Sequence, residues 1–107
     1  MTALKVEIVA FADTAQPGWV KCRLVDADGR THEFLEKAPI VSDEDLDSQS
    51  GYPRPGFIKC TIRARRPGTD GRQLLTVDTE TPDGGETQDG ESRFEVVSDQ
   101  VVGRDAG

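Results

Sequence analysis

Pro17-Gly18-Trp19-Val20-Lys21-Cys22-Arg23-Leu24 and Pro55-Gly56-Phe57-Ile58-Lys59-Cys60-Thr61-Ile62 repeat one another in register, 38 residues apart. Four of the eight positions are identical and three exchange like for like. Each copy leads to an Asp-Gly-Arg turn, at Asp28-Gly29-Arg30 and Asp70-Gly71-Arg72. Asp-Gly supplies the positive φ that a tight hairpin needs. The echo therefore covers a strand, a turn and the strand after it, and it predicts a chain built on two related β-hairpins.

Period-2 hydrophobicity extends this reading along the chain. Leu4, Val6, Ile8 and Ala10 alternate with Lys5 and Glu7, the pattern of a half-buried strand over 4–11. Further strands are predicted over 19–25, 31–37, 56–65, 73–80 and 93–97. In the fourth, Ile58, Cys60, Ile62 and Ala64 face inward against outward Lys59, Thr61, Arg63 and Arg65. Phe34 and Leu35 are adjacent, so the third strand does not declare its inner face. Pro39, Pro53 and Pro55 break up residues 38–55, where Ser42-Asp43-Glu44-Asp45-Leu46 offers one short helical turn near residues 42–47. Residues 81–92, rich in Gly, Asp and Glu, are expected to form a mobile exposed loop.

The fold class is thus all-β: a small antiparallel barrel or sandwich of about six strands, with at most that one helical turn. A chain of 107 residues, with 11 Gly and 6 Pro, fits one such domain over 1–102 and a frayed tail over 103–107. Three strands, a short helix and two strands is also the element order of an oligonucleotide-binding barrel. The N-terminus, with charge at alternate positions, reads as neither signal peptide nor membrane span. A cytoplasmic protein with no membrane partner is expected.

Catalytic chemistry finds little support. His32 is the one histidine, and its place just past a turn reads as an exposed strand start. Cys22 and Cys60, at matching positions of the echo, read as inert core thiols. Two distant cysteines and one histidine lack the paired spacing of a zinc module. The acidic stretches lack the calcium-loop pattern, and no glycine-rich turn opens a helix as a phosphate cradle. No enzyme, metal or cofactor is predicted.

Charge carries the functional expectation. The net charge is −7. Residues 41–50 hold four carboxylates and no cation, residues 51–77 six cations against one carboxylate, and residues 78–107 nine carboxylates against two arginines. The first reading is a non-catalytic acidic protein-binding domain of a bacterial immunity or inhibitor type. It would mask a basic partner with Asp43, Glu44, Asp45, Asp47, Asp83 and Glu86. The alternative is a barrel that binds an anionic ligand or single-stranded nucleic acid through Lys21, Arg23, Lys59, Arg63 and Arg65. The acidic total opposes a polyanion at long range, so nucleic acid ranks second. Trp19 and Phe57, both just after Pro-Gly, read as plugs at the ends of the core. Open sheet edges also allow a homodimer paired edge to edge.

Overall fold

Strand β1 (Thr2–Asp13) carries the first of two antiparallel sheets in the computed structural model, which describes residues 2–13 and 18–103. Its C-terminal half pairs with β2 (Trp19–Val25), from Glu7↔Arg23 to Asp13↔Trp19. β2 in turn pairs with β3 (Thr31–Lys37) across the Asp28-Gly29 turn, where Gly29 has φ +81°. The N-terminal half of β1 pairs on its other side with β4 (Arg54–Lys59), from Ala3↔Lys59 to Ile8↔Arg54. The second sheet is β5 (Thr61–Pro67), β6 (Gln73–Asp78) and β7 (Arg93–Val97) in that order. A 3-10 turn at Ser98–Gln100 leads to β8 (Val101–Gly103), which returns to pair with Thr2–Leu4 of β1.

The inner faces of the two sheets make the core. Leu4, Val6, Ile8, Val20, Cys22, Leu24, Phe34 and Ile58 come from the first, and Leu75, Val77, Phe94 and Val96 from the second. Each fully buried large aliphatic or phenyl group contributes on the order of 1.5–3 kcal/mol. This is a sandwich, and the sheet does not close into a barrel. The resemblance in element order to an oligonucleotide-binding barrel does not extend to closure.

Four features depart from the expected pattern. The described residues form eight strands and not about six, because the run 56–65 is two and β8 adds another. The chain leaves the first sheet at Lys59, buries Cys60 at the corner with its N–H donated to Thr2 O at 3.0 Å, and enters the second sheet at Thr61. A sandwich needs such a corner, and alternation survives it, so period-2 patterning does not reveal it. Past a register shift between Ile62 and Ala64, Ala64 is exposed, contrary to its expected inward position.

The helical turn lies at α1 (Ala38–Val41), ahead of the expected 42–47. Pro39 falls in its first turn, where a missing N–H costs nothing. At 42–47 the Ser42 hydroxyl accepts the Glu44 N–H, but the chain does not continue as a helix. Four carboxylates within five residues repel one another, and Leu46 alone offers an apolar contact.

The echoed segments are not two equivalent hairpins. The first copy runs through β2 into β3 within one sheet, whereas the second is split between sheets by the Cys60 corner. Both copies do flank β1, one on each side.

Residues 81–92 are tied down more than expected. Thr87 is buried and bridges Phe34, the Gln88 N–H reaches Glu33 O at 3.2 Å, and the Thr79 hydroxyl donates to Gly85 O at 2.8 Å. At the C-terminus, Gly103 belongs to β8, and residues 104–107 of the expected frayed tail lie outside the described residues. So does Pro17, with most of the turn before Gly18. No helix among the described residues is long and apolar enough to cross a membrane.

Candidate functional site

Glu36 ends the inward row of β3. Its register partner is Val20, as Phe34 faces Cys22 and His32 faces Leu24, so alternation turns all three toward the interior. The loop after β6 brings Asp83 and Glu86 near enough for their charges to act on Glu36. Burial pushes the Glu36 carboxyl above the ordinary carboxylate range, and the Asp83 and Glu86 charges add to that. The Glu86 backbone N–H and the Lys37 charge act in the opposite direction without cancelling it. Two of the expected acidic residues therefore converge on a third that sequence reasoning missed. The signal was Phe34: once it is known to be the inner residue of β3, Glu36 follows two positions on.

The other acidic segment is organised around its own loop. Glu44 Oε2 pairs with Arg54 Nη2 at 2.6 Å, and Arg54 Nη1 donates to Ser50 O at 2.8 Å. The Asp47 carboxylate accepts the Gln49 N–H at 2.8 Å and the Ser50 hydroxyl at 3.1 Å, while the Tyr52 hydroxyl donates to Asp47 O at 2.7 Å. Asp43 and Asp45 are exposed on the same loop. Glu44 and Asp47 thus shape the loop that presents them.

His32 is not the exposed residue that its position suggested. Its side chain is 10% exposed, with Nε2 2.7 Å from Asp26 Oδ2, Nδ1 3.6 Å from Glu91 Oε2 and its ring 4.8 Å from that of Phe94. Burial opposes ionisation of Asp26, but hydrogen bonds from His32 and from the Arg30 and Asp28 N–H groups outweigh it and hold the carboxyl below its usual range. The arrangement closes the β2–β3 hairpin. The thiols are poorly nucleophilic. Burial, with help from Glu36, pushes Cys22 to about 12, and burial pushes Cys60 to about 11. Both are free and buried. Among the described residues no three His, Cys, Asp or Glu side chains sit close enough to hold one metal ion.

The cations divide between the sheets. Lys21, Arg23 and Lys59 lie on the outer face of the first sheet, and pairing brings Lys5 and Lys37 to that face. Glu7, Glu33 and Asp13, the last opposite Trp19, are acidic members of that face, and Glu7 Oε1 meets Arg23 Nη2 at 2.6 Å. Trp19 and Phe57 do not plug the core. Trp19 is opposite Lys37, whose Nζ is 5.7 Å from the indole centroid, and Phe57 is opposite Lys5. The corner at Cys60 carries Arg63 and Arg65 to β5 of the second sheet instead. There Arg63 Nε is 3.5 Å from Asp78 Oδ2, a carboxylate that Arg93 also approaches at 3.4 Å.

The chain matches no protein-family model, curated protein or solved structure in the comparisons made. The reading of its function rests on these surfaces alone.

Proposed function

We propose that the protein is a non-catalytic binding domain that masks a basic protein partner, as an inhibitor or immunity protein of a bacterial type does. The observation that carries this reading is the convergence of Asp83 and Glu86 on the half-buried Glu36. The Asp83 and Glu86 charges act unfavourably on the Glu36 carboxylate, and cationic side chains of a partner would relieve that repulsion while gaining from it. Exposed Asp43 and Asp45, with Glu44 and Asp47 on their ordered loop, supply a second acidic stretch for such a partner.

Affinity capture with the tagged chain from its own cells, at low and high salt, tests this reading by protein identification and nucleic-acid staining. A basic protein recovered in stoichiometric amount, lost at high salt and lost with Asp83→Asn plus Glu86→Gln, is the expected result. Equal recovery by the variant would overturn the acidic site.

A second reading is favoured by the row of Trp19, Phe57, Lys5, Lys21, Lys37 and Lys59 on one sheet face. Cations beside aromatic rings suit single-stranded nucleic acid or another anionic ligand. Its mark would be steeply salt-dependent binding of an oligonucleotide, abolished by Lys21→Glu with Lys59→Glu.

A further inference from the structure

The path β3-β2-β1-β4 ends at β3 and β4 and the second sheet at β5 and β7, with the three-residue β8 beside the start of β1; three of those four path ends are met by other parts of the chain. β3 is bridged by Thr87 and receives the Gln88 N–H. α1 packs on β4, where a Cβ on Gly56 would lie 3.3 Å from Val41 O. Glu95 O of β7 accepts the Ala27 N–H at 2.8 Å. β5 is different: Arg63 to Pro67 are all exposed, and the Thr61 hydroxyl reaches Thr81 O only at the start of the strand.

Register shows which backbone groups β5 leaves free. The Gly68 N–H donates to Arg72 O at the hairpin turn, so bonded and non-bonded pairs alternate backwards from there. Pairs Arg66↔Leu74 and Ala64↔Thr76 spend their backbone groups on β6. Arg65, opposite Leu75 in a non-bonded pair, turns its N–H and C=O to the open edge. Shallow grooves border this edge, one lined by Ile62, Arg63, Ala64 and Arg65 and the next by Arg65, Arg66, Gly71 and Arg72.

The charge at this edge is of one sign. Residues 61–67 hold three arginines and no carboxylate, in a chain whose total is −7. Arg66 is bound to Glu95 at 2.7 Å and Arg63 to Asp78, but Arg65 has no ion-pair partner among the described residues. A second copy fits badly, because two-fold pairing about Arg65 sets arginine directly opposite arginine, a destabilising arrangement. Edge charges also guard against aggregation, but a guard alone leaves the edge empty toward peptides of either sign.

We propose that β5 is a docking edge for an extended acidic segment of another protein, which adds to the second sheet as a fourth strand. Its backbone would bond to Arg65, and those of its Asp or Glu side chains that share a face with Arg65 would reach that guanidinium. This surface differs in place and in sign from the acidic site proposed above, so either can fail without the other.

The test uses the full chain, isotope-labelled, and three probes: a ten-residue peptide of alternating Thr and Glu, its Thr/Lys counterpart and oligo-dT of similar length. NMR titration and amide exchange report on residues 61–67. The Thr/Glu peptide is expected to bind, slow exchange of the Arg65 N–H and weaken with salt. Arg65→Gln should weaken binding by up to about fivefold, the range of one exposed ion pair. Arg65→Pro removes the free-edge N–H without a bond to β6 and should abolish binding, with circular dichroism confirming the fold. Equal binding of both peptides, binding of neither, preference for oligo-dT, or an unchanged Arg65 exchange rate would each overturn the proposal.

Discussion

His32 Nε2 lies 2.7 Å from Asp26 Oδ2, joining the residue that follows β2 to the second residue of β3. The other oxygen of the same carboxylate accepts the Asp28 N–H at 2.9 Å and the Arg30 N–H at 3.0 Å, so one side chain organises both the turn and the strand beyond it. Asp26→Ala is expected to cost about 1–3 kcal/mol in urea unfolding, since it strands the His32 ring and two turn amides. The pH dependence has a definite sign. Asp26 ionises at lower pH folded than unfolded, so its contribution is complete above the unfolded carboxylate value of about 4 and is lost as pH falls below it. Asp78, lowered first by the Glu80 N–H and then by Arg63 and Arg93 against the opposing effect of burial, acts in the same direction. Acid titration of Asp26→Ala should accordingly show a shallower loss of stability below about pH 4 than the parent chain.

Cys22 and Cys60 are expected to resist a thiol reagent at pH 8 in the folded protein and to react fully in denaturant. With their pKa values pushed to about 12 and about 11, almost no thiolate is present, and both side chains are buried. Counting modified thiols by mass spectrometry decides the matter. Rapid labelling of either one under native conditions would mean that the Cys60 corner or the β2 face opens readily.

Gly56 and Gly18 occupy the same place in the echoed segments but serve different needs. Gly18 has φ +93°, which favours glycine. Gly56 does not, and its constraint is space: a Cβ there would lie 2.7 Å from Ile8 Cγ1 and 2.8 Å from Ile8 Cδ1. Gly56→Ala is expected to cost about 1–3 kcal/mol through overpacking where β4 meets β1 and α1. Trimming the neighbour in the same chain, Ile8→Val, should recover part of that loss, and a double-mutant cycle on thermal unfolding measures the coupling.

That contrast marks how far the sequence could be read. Strands with clean alternation and a flanking turn, such as Trp19–Val25 and Arg93–Val97, were legible because hydrophobic period and turn chemistry act locally. The split at Cys60 was not, because a corner between sheets preserves alternation and is dictated by which strand the chain meets next. Of the acidic surface, Asp83 and Glu86 were visible as charges, but their convergence on Glu36 depends on β3 parity, which the Phe34-Leu35 pair hid. The cation row was half legible: Lys21, Arg23 and Lys59 share a face, and the corner at Cys60 removed Arg63 and Arg65 to another sheet. His32 looked exposed because Phe94 of β7 and Glu91, in the segment just before β7, are brought over it only when the second sheet packs on the first.

Glu36→Gln should stabilise the protein at neutral pH. Burial and the Asp83 and Glu86 charges raise the Glu36 pKa on folding, so between the unfolded value of about 4.3 and the higher folded value the native state holds the extra proton. Stability therefore falls as pH rises through that interval and stays reduced above it, the reverse of the Asp26 effect. Glutamine keeps an acceptor for the Glu86 N–H and removes the charge. The expected gain at pH 7 is up to about 1 kcal/mol, the scale of a partly screened charge pair. Thermal unfolding of both proteins from pH 4 to 8 provides the check: the advantage of Glu36→Gln should shrink toward zero as pH approaches about 4. An advantage that persisted there would assign the effect to packing at the end of β3, because the parent carboxyl would by then be mostly protonated in both states.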